Sequence, residues 1–330
     1  MISEENTHNI YESMQWARSL FKEKGCGLII NDGDFLDSDV IKSETSHVIA
    51  EIFKDNAQEE ILLLGNHEMR DANGQFNSLS ILSNYPKLRV INKLTKITLS
   101  DGTNLIFQPY TSKMENIKKL TDLLDETKGK KILFSHLTYS NLPDVYMPGL
   151  GEIDYNVVKD RADLIFNGHI HTAFETANFI QVGTLTGLNF SDDYTYHRPG
   201  VIIFNTETLT WERIENPKAI LYQKTNVTNL KNLKDLDRSI IRVDCPAGQS
   251  EKIREQLEKV KCLRYKLKVL VDENTKVVAE DKPDFNLYTN ATEALKDFIK
   301  IDKSIYSEEQ LSNFIQEYVA NKKEKTSEDD

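Results

Sequence analysis

Four short apolar runs in the chain are each followed by polar residues of the kinds that bind metal ions. The runs have the length and composition of strands that are buried on both faces. The polar residues are Asp32, Asp34 and Asp37 after the run 28–30, Asn66, His67 and Glu68 after 61–64, His136 after 132–134, and His169 and His171 after 164–166. Imidazole, amide and carboxylate groups together suit Mn²⁺, Fe²⁺ or Zn²⁺ better than Ca²⁺, which prefers oxygen ligands alone.

The position of these clusters after the runs predicts a common location for them. The carboxyl ends of parallel strands meet at one edge of a sheet, where open α/β folds bind ligands. Gly33, Gly65 and Gly168 beside the polar residues allow sharp turns that direct the next side chain into the cleft. A purely structural role, in which the histidines hydrogen-bond to backbone at strand ends, explains one histidine easily and four together poorly. The pattern therefore predicts a metal site.

Helices are predicted between these strands. Apolar residues recur at helical spacing over 10–24, 45–54 and 114–126. Asn9 with Glu12 predicts the start of the first helix as a capping pair, and Gly25 predicts its end. Strands that alternate with helices imply βαβ crossovers and a largely parallel sheet. Beyond residue 170, apolar stretches at 179–182, 201–204 and 209–214 predict a second sheet that completes the core domain near residue 220.

A smaller unit is predicted after the core domain. It contains a strand at 240–243, a helix at 250–260 and a strand at 265–271, and further helices follow at 292–300 and 307–322. We expect domain boundaries at 1–220, 221–285 and 286–330. The apolar residues of the last two helices fit either packing on the chain's own core or a groove that receives a partner's helix pair.

The composition excludes several classes of protein. Of the 330 residues, 39% are hydrophobic and 28% charged, which is enough apolar material for a sizeable core and excludes a wholly disordered chain. No apolar run approaches the roughly 18 residues of a membrane-spanning helix, so we expect no membrane association. Cys26, Cys245 and Cys262 are too few and too scattered for a disulfide framework, which favours a cytoplasmic location.

The net charge of −11 argues against a free-standing, sequence-independent nucleic-acid binder. It does not argue against an enzyme that holds phosphates through bound cations, because divalent metals supply positive charge locally.

In their order along the chain, the motifs resemble those of the calcineurin-like metallophosphoesterase superfamily. The matching residues are Gly33-Asp34-x-x-Asp37, Gly65-Asn66-His67-Glu68, His136 and Gly168-His169-x-His171. That family binds two divalent metal ions between two sheets and hydrolyses phosphate esters. The resemblance therefore implies an α/β fold with a sandwich of two mixed sheets flanked by helices.

The resemblance also implies a role for each matching residue. Asp34 would bridge the two metals, and His171 would bind the second of them. The ligands that complete the first site would be Asn66, His136 and His169. His67 would be catalytic, contacting the scissile phosphate and stabilising charge or protonating the leaving group. Asp37 would hold its loop by hydrogen bonds.

The form Gly33-Asp34-Phe35-Leu36-Asp37, together with residues 181–186 and 200–204, narrows the resemblance to the SbcD-type DNA repair nucleases and their phage recombination counterparts. Such enzymes imply Mn²⁺-dependent exonuclease and endonuclease activity on DNA ends, a homodimer and an SbcC-type coiled-coil ATPase as partner. Residues 221–285 would then be a small α+β capping domain. The C-terminal helices of 286–330 would dock on the ATPase.

One family motif is missing from the sequence. The family carries Asp-x-His at the end of an N-terminal strand, whereas this chain enters a predicted helix by Ile10. Without that motif the second metal would have only Asp34 and His171 as ligands, too few for a tight site. We expect a truncated or mis-started chain, with replacement of the motif by His8 or Asp32 as the alternative.

Two other functions stay open at this point. A truncated subunit with impaired catalysis would keep the fold and bind partners, whereas a metallophosphatase or cyclic-nucleotide phosphodiesterase would share the metal site and need no capping domain. We expect His47 to be a surface or packing residue. His8 is expected to have a terminal-loop role, with metal ligation as the alternative, and His197 is expected to have a structural role in its loop, with a place in the cleft as the alternative. The basic stretch 259–268 is expected to be a solvated face, with a DNA-facing surface as the alternative.

Overall fold

Helices and strands alternate along the first half of the chain, as the apolar runs predict. The computed structural model describes residues 4–54, 58–143, 153–192, 194, 196–246 and 248–270, which all belong to one compact unit ending at Leu270. The described α-helices are α1 (Glu4–Glu23), α2 (Ser43–Phe53), α3 (Met114–Glu126) and α4 (Ser250–Leu257). None of them combines the length and the apolar character needed to cross a membrane.

Two facing sheets form the core of the molecule. The strands that precede residue 220 are β1 (Leu28–Asn31), β2 (Glu59–Leu63), β3 (Leu88–Ile91), β4 (Thr95–Thr98), β5 (Asn104–Gln108), β6 (Lys131–Ser135), β7 (Tyr139–Ser140), β8 (Ile153–Asp154), β9 (Leu164–Asn167), β10 (Phe174–Thr176), β11 (Phe179–Gln181), β12 (Gly200–Phe204) and β13 (Trp211–Glu215). The first sheet has the parallel order β1-β2-β3. The second has the order β10-β11-β9-β6-β5-β4, parallel at its centre and antiparallel at both edges.

Alternate side chains of each strand pack between the sheets or against a covering helix. Ile61 and Leu63 of the first sheet pack with Phe107, Phe134 and Phe166 of the second. The ring centroids of Phe107 and Phe134 are 5.1 Å apart and those of Phe134 and Phe166 are 5.3 Å apart. On the outer faces, α1 and α2 cover the first sheet and α3 covers the second. The α/β sandwich implied by the sequence is confirmed.

The start of α1 differs from its prediction. The helix begins at Glu4, so Asn9 lies within it and is not an N-cap. Asn9 is buried, its Nδ2 donates to Lys218 O at 2.6 Å, and its Oδ1 accepts from the hydroxyl of Thr186 at 2.5 Å. Tertiary partners thus replace the local capping bonds that the sequence pattern suggested. Gly25, with φ +71°, ends the helix as predicted.

The second sheet predicted after residue 170 is also different. Strand β11 pairs in parallel with β9 and therefore extends the sheet that contains β6. Of the three stretches predicted after residue 170, the last two correspond to β12 and β13, which form a separate antiparallel pair. Ile202 and Phe204 of β12 pack on the core between the sheets.

A further three-stranded sheet follows. It consists of the parallel strands β14 (Leu221–Asn226), β15 (Ser239–Pro246) and β16 (Arg264–Leu270) in that order. The strand–helix–strand pattern read from the sequence corresponds to β15, α4 and β16, whereas β14 was not predicted. The boundaries 1–220, 221–285 and 286–330 stay predictions, since 286–330 and the helices at 292–300 and 307–322 lie outside the described residues.

Candidate metal centre

The four polar clusters meet where strands of both sheets end. The clusters after β1 and β2 come from the three-stranded sheet, and those after β6 and β9 come from the six-stranded sheet. The expectation that all four strands share one sheet edge is therefore wrong. The residues still converge, because the two sheets face each other and their strands end on the same side.

Four side-chain atoms face one another at the distances of ligands that share a metal ion. His136 Nε2 lies 2.9 Å from Asp34 Oδ2 and 3.2 Å from Asn66 Oδ1. His169 Nδ1 lies 3.0 Å from Asn66 Oδ1 and 3.2 Å from His136 Nε2. Adjacent ligands at about 2.1 Å from a metal are roughly 3 Å apart. Asp34, His136 and His169 form a group whose ligand atoms all lie within 4.8 Å of one another.

Hydrogen bonding indicates the tautomer of the buried His136. Its Nδ1 lies 2.6 Å from the main-chain oxygen of Asp32, an acceptor, and 3.2 Å from the main-chain nitrogen of His169, a donor, and the shorter contact favours the proton on Nδ1 in the neutral ring. In that neutral form the Nε2 lone pair faces the oxygens of Asp34 and Asn66, which are acceptors as well. A cation would stabilise this convergence of electron pairs. Histidines that bind metals usually donate their other ring N–H to a carboxylate, a backbone carbonyl or a water, as Nδ1 of His136 does to Asp32. The residues present therefore fit a divalent metal ion.

The protonation states of the charged donors suit the same role. Burial and the neighbouring His136 lower the pKa of His169 to about 4, which leaves a neutral imidazole at neutral pH. For Asp34 without a metal, burial raises the pKa, but His136 in its protonated form, through a hydrogen bond from Nε2 and its charge, and the His67 N–H lower it by more, so the net pKa is below its usual value. A neutral histidine and an ionised carboxylate are the forms that bind metals.

The backbone around the site is closely packed and locally strained. A Cβ on Gly33, whose φ is +100°, would overlap the His136 ring, and a Cβ on Gly65 would overlap the Asp34 carboxylate. Asp34 and His169 themselves have φ values of +53° and +27°, in the left-handed region. Conformations of this kind cost energy and cluster at functional sites.

His67 lies at the exposed side of the centre. Its side chain is 44% exposed, with Nδ1 3.0 Å from Asp37 Oδ1 and Nε2 4.0 Å from Asp34 Oδ2. Asp37 is itself 72% exposed and belongs to no metal-ligand group among the described residues. This position leaves His67 available to a substrate, and its catalytic role and the supporting role of Asp37 stay predictions.

His171 lies apart from the group of Asp34, His136 and His169. Its Nδ1 is 3.4 Å from the carboxylate of Asp192, and hydrogen bonding to that carboxylate raises the pKa of His171. The Asp192 side chain is only 2% exposed and also accepts from the N–H of Leu188 at 2.6 Å. Its bond to Nδ1 leaves His171 Nε2 free to bind a ligand. Sequence reasoning missed Asp192, because it lies in a loop without any motif.

Glu68 is a second residue whose role the sequence did not reveal. Its fully buried carboxyl group accepts from Leu36 N and Gly65 N, both at 2.9 Å, and so joins the loops that follow β1 and β2. Burial raises its pKa to about 7, against the effect of these two bonds. The sequence signal that could have pointed to a role for Glu68 was its position directly after His67 in the Gly65-Asn66-His67-Glu68 motif.

The two proposed substitutes for the missing motif are not grouped with these ligands. His8 is exposed on α1, not in a terminal loop, and its Nε2 lies 3.8 Å from Glu12. Asp32 is buried, which raises the pKa of its carboxyl group, and it contacts His136 through its main-chain oxygen. Neither joins Asp34, His136 and His169 in the part of the chain that the structure describes.

The centre opens into a concavity of about 2570 Å³. Ile30, Val182 and Ile202 line its apolar part. Arg264 and Lys266 of β16 line it on the side of the β14-β15-β16 sheet. The concavity thus reaches from the candidate metal ligands to β16.

A family model described as calcineurin-like phosphoesterase matches residues 6–173. The match spans more than half of the chain and includes all of the candidate ligands and His67. A search of curated proteins finds no match to this chain.

Proposed function

The chain belongs to the calcineurin-like phosphoesterase family, and from that membership we propose that it is a metal-dependent nuclease of the SbcD type. Metal-dependent hydrolysis of phosphoesters is the general activity of the family. The finer proposal is Mn²⁺-dependent hydrolysis of phosphodiester bonds at DNA ends, together with an SbcC-type coiled-coil ATPase.

The observation that carries this proposal is the convergence of Asp34 Oδ2, Asn66 Oδ1, His136 Nε2 and His169 Nδ1 at separations of 2.9–3.2 Å. These residues would hold one divalent ion. A second ion would be bound by Asp34 and His171 and requires further ligands. A divalent cation held here supplies Lewis-acid polarisation of a phosphate ester and a nucleophile at neutral pH.

The chain's own residues would orient and protonate the substrate. His67 is placed at the mouth of the site, where Nε2 can donate to a phosphate oxygen or give its proton to the leaving oxygen. Asp37 Oδ1, 3.0 Å from His67 Nδ1, would hold the ring so that Nε2 faces the cleft. Glu68 would keep the two loops that carry Asp34 and His67 in a fixed relation.

The choice of DNA as substrate rests on the resemblance of the stretches 181–186 and 200–204 to those of SbcD-type nucleases. Gln181 donates to the main-chain oxygens of Asn167 at 3.0 Å and Ile170 at 2.8 Å, so the first stretch supports the loop of His169 and His171. The homodimer and the ATPase partner are proposed from the resemblance alone. The helices proposed to dock on the ATPase lie outside the described residues.

The test compares His67→Ala with Lys96→Ala, a control at an exposed residue that does not line the concavity. With Mn²⁺, we expect wild type and Lys96→Ala to degrade linear duplex DNA and to hydrolyse bis(p-nitrophenyl) phosphate. His67→Ala should lose about 100-fold or more in turnover, the usual contribution of a general acid, and keep its bound Mn²⁺. Loss of the metal along with activity would refute the role of His67. Hydrolysis of p-nitrophenyl phosphate without cleavage of DNA would favour a phosphatase.

One observation favours a second candidate, a partner-binding subunit with impaired catalysis. His171 contacts Asp192 and lies outside the ligand group, which leaves the second metal short of ligands among the described residues. A wild-type chain that binds one Mn²⁺ and cleaves neither DNA nor the small diester would favour this candidate.

A further inference from the structure

Two buried side-chain amides connect the backbone segments that carry His136 and His169. Asn167 ends β9 and Gln181 ends β11, and the two residues lie opposite each other in the parallel pairing of these strands. Each of them is 1% exposed, and Asn167 Nδ2 donates to Gln181 Oε1 at 2.9 Å. Because a buried polar group costs stability unless its hydrogen bonds are made, the other partners of the two amides show what the pair holds in place.

Asn167 bonds to the residues on both sides of His136. Its Oδ1 accepts from Ser135 Oγ at 2.8 Å and from Leu137 N at 3.0 Å, and its Nδ2 donates to Leu137 O at 2.9 Å. With the bond to Gln181, both hydrogens and both lone pairs of the amide are used. The partners thus determine the orientation of the Asn167 amide, which fixes the segment around His136 relative to β9.

Gln181 bonds to the residues on both sides of His169. Its Nε2 donates to the main-chain oxygens of Gly168 and Ile170, the latter at 2.8 Å, and lies 3.0 Å from the main-chain oxygen of Asn167. His169 has a φ of +27°, and a conformation of this kind persists only where the surrounding structure enforces it. Three main-chain acceptors around one amide nitrogen provide that constraint.

The backbone of Gln181 is itself held by a residue of β13. Arg213 donates through Nη2 to Gln181 O at 3.0 Å and through Nη1 to Val182 O at 2.8 Å. Its Nε donates to the carboxylate of Glu175 at 2.8 Å, and its side chain is 6% exposed. Charge-assisted hydrogen bonds are stronger than neutral ones, so the backbone that carries the Gln181 amide is firmly fixed.

We propose that Asn167 and Gln181 are positioning residues of the metal centre, which set its affinity by holding His136 Nε2 and His169 Nδ1 in place before an ion binds. These two nitrogens lie 3.2 Å apart, and a shift of either backbone segment would change that separation. Ligands that are already in place bind more tightly, because less order has to be created on binding. The inference rests on the metal centre of the proposed function and not on its substrate.

The test replaces Gln181 by methionine, which has a similar length and no amide. Asn104→Leu is the matched control, because Asn104 is 5% exposed and its Nδ2 lies 3.0–3.3 Å from three main-chain oxygens, those of Gly102, Lys128 and Lys130. Asn104 begins β5, at the end of the sheet away from the metal ligands. EPR of free Mn²⁺ measures the Kd of each metal-free protein for this ion, and urea unfolding in EDTA measures stability.

Both variants should lose unfolding free energy, because each leaves buried main-chain oxygens without an amide donor. Gln181→Met should also raise the Kd for Mn²⁺ about tenfold or more, the usual effect of removing an outer partner of a metal ligand, whereas Asn104→Leu should keep the wild-type Kd. An unchanged Kd in Gln181→Met, or an equal rise in both variants, would overturn the inference and leave the proposed function of an active wild type intact.

Ser135→Ala is the milder variant for the case in which Gln181→Met does not fold. It removes the hydroxyl that donates to Asn167 Oδ1, and the Kd for Mn²⁺ should rise about threefold or more, the usual effect of one hydrogen bond. In that case, an unchanged Kd in Ser135→Ala would overturn the inference.

The wild-type chain separates the inference from the nuclease function. A wild type that does not bind Mn²⁺ would overturn both. A loss of Mn²⁺ affinity specific to Gln181→Met, in a chain that cleaves neither DNA nor bis(p-nitrophenyl) phosphate, would uphold the inference and refute the nuclease function.

Discussion

Asp34 and His169 show how much the metal centre constrains individual residues. Both have positive φ, and both present a ligand atom to the same point. The close approach of Gly33 and Gly65 makes the strained backbone possible, because any side chain there would overlap a ligand. Convergent lone pairs are unfavourable for the metal-free fold, and a cation bound there would offset their repulsion.

Glu68 gives a prediction about pH at the residue scale. Burial raises its pKa to about 7, whereas a glutamate in the unfolded chain titrates near 4.3. The stability contributed by its bound proton is therefore present below about pH 4 and lost as the pH rises through 7. In the metal-free protein, the unfolding free energy of wild type relative to Glu68→Gln should fall by roughly 3 kcal/mol between pH 4 and 8.

Urea unfolding at a series of pH values in EDTA measures this difference. Glu126→Gln at the exposed end of α3 is the matched control, and its difference from wild type should not depend on pH in the same way. A constant difference between wild type and Glu68→Gln would mean that Leu36 N and Gly65 N keep the carboxylate ionised throughout this range.

The convergence of the candidate metal ligands could be predicted from the sequence, whereas the residues that support them could not. Asp34, Asn66, His136 and His169 each follow a buried strand within a few residues, so local order predicted their convergence. Asp192 reaches His171 from a loop 21 residues further along the chain, and only the folded loop brings the two together. Glu68 was visible in the motif, but its hydrogen bonds to Leu36 and Gly65 depend on the packing of two loops.

At the scale of elements, α1 is attached to the first sheet by a buried ion pair. Arg18 of α1 lies 2.6 Å from the carboxylate of Glu60 on β2, and their side chains are 15% and 3% exposed. Arg18 also donates to the main-chain oxygen of Ile52 and lies 4.7 Å from the Phe53 ring centroid. Burial raises the pKa of Glu60, and Arg18 opposes that shift.

Removal of Arg18 should therefore destabilise the protein strongly. Arg18→Met leaves Glu60 buried without a counter-ion, which costs about 3–5 kcal/mol of unfolding free energy. Arg18→Met/Glu60→Gln should recover most of that loss, because no uncompensated charge remains. Urea unfolding of wild type, both single variants and the double variant gives the four unfolding free energies of a double-mutant cycle. A loss below about 1 kcal/mol for Arg18→Met would show that water reaches Glu60.

Elements with a strong apolar period were the ones that the sequence predicted best. Helix α3 occupies 114–126 as predicted, since Ile117, Leu120 and Leu124 form one buried face. The start of α1 was wrong because Asn9 is satisfied by tertiary partners. Strands β4 and β5 were missed, although β5 is a buried run as long as β2 and β6, which were predicted.

At the scale of the whole molecule, the division of the strands between two sheets was hidden from the sequence. Each buried run predicts a strand, but pairing depends on contacts between residues far apart in the chain, such as Ile30 with Ile61 and Phe134 with Phe166. One alignment of charges was hidden for the same reason, because Lys224, Arg242 and Lys266 form a row only when β14, β15 and β16 pair.

The number of metal ions per chain is the property on which the competing functions differ most. Titration of the metal-free protein with Mn²⁺ should give one tight site, which raises the unfolding free energy by about 2.7 kcal/mol at a Mn²⁺ concentration of 100 times Kd. Asn66→Ala removes the oxygen that lies 3.2 Å from His136 Nε2 and 3.0 Å from His169 Nδ1, and should weaken that site about tenfold or more. His171→Ala is the matched control and should leave the tight site intact. Two tight sites in wild type would mean that other residues complete the second site, and would refute the impaired-subunit candidate. No tight site would refute the metal centre itself.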